Sequence, residues 1–156
     1  MPNWCENKLI ITTGNEEQLQ NFVERVKNPE KNTDLSFEKL LPCPAELLEL
    51  PSPNRDSSPD ECAELIRKYG HTDWYDWALS NWGTKWDVNA KLDAFGRYLA
   101  IYLFESAWAP PVEWIIAAAL EYPDLCFELK YDEPGIRFMG VFTAHGEEIS
   151  EQCIDY

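Results

Sequence analysis

An α+β fold is the class that the sequence predicts, on three observations. Apolar residues alternate with polar ones in several short segments, as in β-strands with one buried face. Other segments repeat apolar residues at α-helical spacing. Their order gives two β-α-β units, so we expect a ferredoxin-like split β-α-β sandwich with a mostly antiparallel sheet and extra edge strands. The 156 residues suit a single domain over 1–156, interrupted at 42–83 by a proline-rich loop and a helical insertion.

The N-terminal part predicts a strand, a helix and a second strand. Residues 5–12 alternate between apolar and polar side chains and form the first strand. Asn15 is placed to cap a helix, and Gln18, three residues later, completes a capping box. The apolar stripe of this helix consists of Leu19, Phe22, Val23 and Val26. Apolar residues within 35–41 then predict the second strand.

The insertion differs in kind from its surroundings. Five prolines in residues 42–60 remove backbone donors and predict an irregular loop. The helical part covers about residues 59–82. Its first helix begins after Ser58 and ends at Gly70, and its second is capped by Thr72. Because the second helix is aromatic on more than one side, we expect the insertion to cover part of the sheet face that the other helices leave free.

The second half predicts four strands and one helix. The strands are expected over residues 84–92, 98–104, 125–132 and 138–142. Pro110 and Pro111 open the helix between the second and third of these strands. The strand over 98–104 is apolar on both faces, which indicates a central position in a sheet with both sides at least partly covered. The acidic segment 147–156 either adds an edge strand or frays.

The charge excludes some classes of partner. There are 28 Asp and Glu residues against 13 Lys and Arg, which gives a net charge of −15. Binding nucleic acid generally, or an anionic membrane, needs an excess of cations, so we expect neither. Aromatic residues on the strand over 98–104 resemble a base-stacking platform, but no basic signature accompanies them. The charge therefore indicates either solubility or a protein partner, with a basic protein favoured.

The cysteines and the termini indicate a cytoplasmic protein. The five cysteines are widely spaced and contain no C-x-x-C pair, so we expect reduced thiols and no structural zinc. No apolar run approaches the roughly 20 residues that span a bilayer. The first residues have neither the basic nor the apolar region of a signal peptide. No motif indicates a cofactor, and we expect none.

Three aromatic motifs at predicted strand ends are the candidate binding site. They are Trp82–Asp87, Glu105–Pro111 and Tyr131–Gly135. Loops at strand ends can converge, and tryptophan and tyrosine combine a flat apolar face with one hydrogen-bond donor. The candidate residues are Trp82, Gly83, Thr84, Lys85, Trp86, Asp87, Trp108, Pro110, Tyr131 and Glu133. The alternative for each aromatic residue is a place in the core.

Four separated motifs resemble the YubB-like family of phage- and plasmid-borne proteins. They are Met1–Asn7, Trp82–Asp87, Ala107–Pro111 and Tyr131–Gly135, and together they span most of the chain. The resemblance implies a ferredoxin-like domain and an accessory role in a mobile element. It implies no particular reaction.

These observations favour a small acidic cytosolic binding protein of a mobile element, without evident catalysis. One alternative is an inhibitor whose acidic surface imitates nucleic acid and occupies a host DNA-binding or defence protein; residues 46–64 and 105–133 carry net charges of −5 and −6. Another is an enzyme with a carboxylate or metal site. Only two histidines are present, and no P-loop, G-x-S-x-G or G-x-G-x-x-G motif occurs.

Overall fold

The computed structural model describes residues 1–156 and shows one six-stranded antiparallel sheet with six α-helices. The strands are β1 (Trp4–Thr12), β2 (Ala90–Phe95), β3 (Leu99–Ala107), β4 (Cys126–Glu133), β5 (Phe138–His145) and β6 (Glu148–Asp155). The helices are α1 (Glu16–Val26), α2 (Phe37–Leu40), α3 (Ala45–Leu48), α4 (Pro59–Tyr69), α5 (Trp74–Asn81) and α6 (Val112–Glu121). The strand order is β2-β3-β1-β4-β5-β6. The predicted α+β class is confirmed.

The start of α1 is capped as the sequence predicts, with one difference. The Asn15 side chain accepts a hydrogen bond from the Gln18 backbone N–H at 3.1 Å. The Gln18 side chain does not return to Asn15 and instead accepts from the backbone N–H of Asp124 at 2.9 Å. The Asn15 N–H donates to the Thr13 hydroxyl. The second half of the capping box therefore ties the helix to the loop before β4.

The prediction of a strand over residues 35–41 is wrong. The chain forms the short helix α2 there, after an extended stretch that runs beside β2. The Asp34 N–H donates to the Ala90 carbonyl at 3.0 Å, and the Asp34 carboxylate accepts from the Leu92 N–H. Leu35 and Phe37 are both fully buried, so their spacing reflects entry into the core from a loop rather than a strand.

The two helices of the insertion begin and end close to the predicted positions. Ser58 caps α4 by accepting from the Glu61 N–H, and Gly70 ends it in the left-handed conformation. The cap of α5 is Asp73, whose side chain accepts from the Asp76 N–H at 2.9 Å. The prediction of Thr72 was wrong by one residue.

The insertion lies on the same side of the sheet as α1 and α6, which contradicts the expected position. Trp77 and Trp82 pack in one core with Phe37 and Trp114. The Trp82 indole N–H donates to the Leu41 carbonyl at 2.9 Å. Because that acceptor follows α2, it holds α5 against the helical layer. All the large fully buried side chains belong to this single core.

The strand expected over 84–92 begins six residues late, at Ala90. Residues 84–89 form a loop because side chains engage the backbone there. The Thr84 hydroxyl donates to the Ala107 carbonyl at 2.8 Å. Asp87 binds the start of α2, as described below. The strand expected over 98–104 runs from Leu99 to Ala107 and lies between β2 and β1.

One face of the sheet carries no helix, so the prediction that both sides of the sheet are at least partly covered is wrong. Strand registers place Trp4, Glu6, Lys8 and Ile10 on this side of β1, opposite the buried Cys5–Ile11 set. We call the uncovered side the open face. It exposes aliphatic side chains from three further strands, namely Leu99, Leu103, Val141 and Ile154. No helix of the chain is long and apolar enough to cross a bilayer.

Candidate binding surface on the open face

The structure divides the ten predicted site residues into two groups. Four are buried, namely Trp82, Thr84, Tyr131 and Glu133. The other six are exposed or half-buried, namely Gly83, Lys85, Trp86, Asp87, Trp108 and Pro110. The ten residues therefore do not converge on one open pocket.

Gly83 and Pro110 meet through the backbone. Gly83 has φ +85°, and a Cβ at this position would lie 3.2 Å from both the Pro110 carbonyl oxygen and the Val112 nitrogen. The Trp114 N–H donates to the Trp82 carbonyl at 3.2 Å. Two of the predicted motifs are thus brought together, and their contact docks the end of α5 on the start of α6.

Asp87 has a structural role. Its carboxylate accepts hydrogen bonds from the Ser36 hydroxyl at 2.5 Å and from the Phe37 N–H at 2.6 Å. Lys31 Nζ lies 3.8 Å from the same carboxylate. The side chain therefore caps α2 from a distant part of the chain, because anionic acceptors are favoured at helix N-termini.

Tyr131 and Glu133 hold the end of β4. The buried Glu133 carboxylate accepts from the backbone N–H groups of Gly135 and Ile136 at 3.1 and 2.6 Å, which fixes the turn before β5. The Tyr131 hydroxyl donates to the Glu151 carboxylate at 2.6 Å. Burial, and then this carboxylate, raise the pKa of the Tyr131 phenol. Burial, and next the charge of Glu133, raise the pKa of the nearby Cys5 thiol to about 12.

An aromatic cluster at the surface contains two of the predicted residues. Lys85 Nζ lies 4.5 Å from the Trp86 ring centroid and 5.6 Å from that of Tyr75. The Trp86 ring is 6.3 Å from that of Trp4. We call Trp4, Tyr75, Lys85 and Trp86 the aromatic cluster. Trp4 and Trp86 are 43% and 39% exposed, which is unusual for such large apolar side chains.

Trp4 is not among the predicted site residues, although its position in the sequence carries a signal. Alternation in β1 places Cys5 inside, so its neighbour Trp4 must point to the open face. Trp108, 44% exposed, follows Ala107, the strand partner of Trp4. Three exposed tryptophans therefore lie at one end of the sheet.

A groove runs from this end across the open face. Its volume is about 590 Å³. Glu6, two residues from Trp4 on the same face, lies at its near end. The side chains along it include Lys8, Leu103, Lys130, Met139, Val141 and Ile154. A second depression of about 400 Å³, which includes Ile10 and His145, lies at the far end of the same face.

Charges of one sign lie side by side on this face. Glu6 is directly opposite Glu105 on one neighbouring strand and Asp132 on the other. In the next outward-facing row, Lys8 is directly opposite Lys130. Like charges in cross-strand pairs destabilise a sheet by a few tenths of a kcal/mol or more each. The open face thus carries an acidic row beside a basic row, and within the protein Lys130 pairs only with Glu128 on its own strand, at 3.7 Å.

Acidic side chains surround a further depression on the helical side of the molecule. Glu46, Glu49, Glu61 and Glu64 surround a depression of about 330 Å³ between α3 and α4. Lys68 pairs with Glu46 at 3.5 Å. No three His, Cys, Asp or Glu side chains are grouped so that they could hold a metal ion.

Comparisons with known proteins bear on the fold. Residues 81–156 match the family model described as the ferredoxin-like domain in Api92-like protein. The fold is ferredoxin-like. The crystal structure of the protein api92 from Yersinia pseudotuberculosis superposes with a TM-score of 0.57 and 10% identity, over 100% of this chain and 98% of that chain. At this identity the likeness shows the fold alone. No curated protein matches the chain.

The matched part of the ferredoxin-like fold contains five of the six strands and α6. It lacks β1, yet β1 pairs with β3 and β4 and carries Trp4, Glu6 and Lys8. The open face is therefore assembled from both halves of the chain. The part of the chain that matches the family model therefore lacks a central strand of the open face.

Proposed function

We propose that this protein is a protein-binding module, and that the open face with the aromatic cluster is its binding surface. The observation that carries the proposal is the combination of three exposed tryptophans at one end of the sheet and uncovered aliphatic side chains along the groove that begins near Glu6. Tryptophan is enriched among the residues that dominate binding energy at protein interfaces. Trp86 lies at the surface, where its ring makes a cation–π contact with Lys85.

The size of the open face suits a protein partner. Strands about 4.8 Å apart, each of about eight residues at about 3.3 Å per residue, give a six-stranded sheet a face of roughly 600 Å². The aromatic cluster extends this area beyond the sheet. A standard interface takes about 800 Å² from each partner.

The acidic row (Glu6, Glu105 and Asp132) and the basic row (Lys8 and Lys130), together the charge rows, support the same proposal. They cost stability in the isolated protein, and a partner with opposite charges in the facing positions would offset that cost. A nucleic acid fits less well. The outward side chains of β3 are Leu99, Ile101, Leu103 and Glu105, so this strand offers mainly aliphatic groups where base stacking needs aromatic ones. The aromatic residues Tyr102 and Phe104 on the same strand are buried in the core.

We extend the proposal to an accessory role in a phage or plasmid, exercised in the host cytoplasm. Its support is the resemblance of the four sequence motifs to the YubB-like family. The structure adds a physical reason why two of those motifs contain tryptophan beyond what the core requires, since Trp4 and Trp86 form the aromatic cluster.

The test compares two equally radical substitutions on opposite sides of the molecule. Leu103→Arg places a charge on the open face, and Leu120→Arg places one on the exposed side of α6, where Leu120 is 54% exposed. Affinity capture from host cells, with partners identified by mass spectrometry, should recover a partner with wild type and Leu120→Arg. Recovery should fall at least tenfold with Leu103→Arg and with the double variant Trp4→Ala/Trp86→Ala.

Equal recovery by folded variants on both sides would contradict the proposal.

Raising the NaCl concentration distinguishes the proposed protein-binding surface from the nucleic-acid mimic. Binding through Trp4 and Trp86 depends weakly on salt, whereas binding through the acidic residues near Glu61 is screened over about 8 Å at physiological ionic strength. Binding that disappears at high salt and survives Leu103→Arg would favour the mimic.

A further inference from the structure

The two edges of the sheet differ in how they are covered. At the β2 edge, the Thr33 hydroxyl accepts from the Ala90 N–H at 2.7 Å, and Asp34 binds Ala90 and Leu92. A segment of the chain therefore occupies the backbone groups at the beginning of that edge, at Ala90 and Leu92. At the other edge, all eight residues of β6 are exposed, and β6 pairs with β5 alone.

The register shows which backbone groups of β6 are free. The Tyr156 N–H donates to the Arg137 carbonyl at 2.9 Å, one step beyond the Phe138–Asp155 pair. Hydrogen-bonded and non-hydrogen-bonded pairs alternate along an antiparallel ladder, so every second residue of β6 directs its N–H and C=O away from β5. These outward residues are Ile149, Glu151, Cys153 and Asp155. The edge thus presents four unpaired donor–acceptor sets in a row.

The charge of β6 indicates what the edge accepts. The strand contains Glu148, Glu151 and Asp155 and no Lys or Arg. None of the ion pairs of the chain involves these three carboxylates, and only Glu151 has a hydrogen-bond partner, the Tyr131 hydroxyl. Pairing of two copies through β6 would bring six such carboxylates together, which disfavours self-association. A basic strand would meet complementary charge.

We propose that β6 is a docking strand for an extended segment rich in lysine or arginine, which adds to the sheet as a seventh strand. Backbone hydrogen bonds would give affinity, and the carboxylates would give preference for a basic segment. The inference rests on the proposed protein-binding function and names the chemistry of the partner. Ile154 of β6 also lines the groove on the open face, so the edge and the groove form one continuous surface.

The probe is an end-blocked octapeptide that alternates threonine and lysine, compared with the same peptide carrying glutamate for lysine. Amide exchange followed by NMR on the isotope-labelled full chain gives a residue-specific result. In the free protein, the amides of Ile149, Glu151 and Cys153 should exchange fast and those of Ser150 and Gln152 slowly. The lysine peptide should slow the fast set at least fivefold, and the glutamate peptide should leave it unchanged.

Two substitutions at one position isolate the backbone contribution. Cys153→Pro removes an outward N–H without touching the ladder to β5, because proline is tolerated on a strand edge when its nitrogen faces solvent. Cys153→Ala keeps the N–H and is the matched control. Proline should weaken binding of the lysine peptide at least fivefold, and alanine should not. Neutralising the three acids of β6 to Gln and Asn should weaken it at least threefold.

The outcomes separate this inference from the proposed function. Leu103 lies on β3, four strand positions from β6, so Leu103→Arg should weaken partner capture and should change binding of the lysine peptide less than Cys153→Pro does. Slow exchange of the outward amides in the free protein, or equal binding of both peptides, would overturn the docking strand. If partner capture still depended on Leu103 in that case, the proposed function would stand without it.

Discussion

Asp87 provides the sharpest test of how the structure assigns a predicted site residue. Its carboxylate, 16% exposed, accepts from the Ser36 hydroxyl and the Phe37 N–H, both of which belong to fully buried residues. Asp87→Ala would leave both donors without a partner. A residue of the binding surface would instead be removed at little cost to folding.

The magnitude follows from these two bonds. Hydrogen bonds to a charged acceptor contribute about 1.5–3 kcal/mol each, and the loss of a helix cap typically costs about 1 kcal/mol. Because water can enter the space left by the side chain, we expect Asp87→Ala to lower the free energy of unfolding by about 2–4 kcal/mol. For a chain of this length that corresponds to a fall in melting temperature of about 5–15 °C. Asp87→Asn keeps one acceptor oxygen and should cost about half as much.

Urea denaturation followed by tryptophan fluorescence measures these differences. The control is Asp56→Ala, since Asp56 is exposed in the proline-rich loop and should change stability by less than about 0.5 kcal/mol. If Asp87→Ala unfolded at the same urea concentration as Asp56→Ala, the capping role would be refuted. A loss of partner capture by a fully stable Asp87→Ala would return Asp87 to the binding site.

Three further predictions follow from the geometry. Gly83→Ala should destabilise the fold by about 1–2 kcal/mol more than Gly70→Ala in urea denaturation, because both have positive φ but only the Gly83 Cβ would press against backbone atoms; equal losses would remove the contact argument. Glu6→Gln should raise stability by about 0.3–1 kcal/mol and yet weaken partner capture, because it breaks the acidic row; a loss of stability would contradict the cost that we assign to this row. The Cys5 thiol keeps its proton in the folded state up to about pH 12, against 9.0 ordinarily. The protonated thiol therefore contributes fully to the free energy of unfolding below pH 9. This contribution is lost as pH rises towards 12, by up to about 1.4 kcal/mol per pH unit. Cys5→Ala should flatten the fall in stability over that range, and an unchanged slope would assign the fall to other groups.

Local signals predicted the elements whose pattern is complete within the segment. The helix after Asn15 and the helix between Ser58 and Gly70 were found with their caps, because a cap needs only residues three or four positions apart. The strands β1, β4 and β5 were found because alternation records one buried and one exposed face. The predicted secondary structure was wrong where a distant residue determines the backbone conformation. The Asp87 carboxylate caps the start of α2 from a distant part of the chain, and no local pattern contains that information.

The candidate site was predicted in part, for a related reason. The predicted site includes Lys85 and Trp86, which are in the aromatic cluster, together with Trp82 and Tyr131, which belong to the core. A tryptophan that packs inside and one that lies outside look the same in a sequence. Only the packing of the chain distinguishes them, because the indole N–H of Trp82 finds a buried acceptor.

The α+β class, the acidic character and most of the element order follow from the sequence alone, because alternation and helical spacing are properties of neighbouring residues and charge is a property of composition. Tertiary structure alone decided that the insertion joins the helical layer, that one sheet face stays open and that one edge stays free. These outcomes depend on which strands become neighbours and which distant polar groups satisfy each other. The charge rows around Glu6 and the bare edge of β6 exist only once strands from both halves of the chain lie side by side.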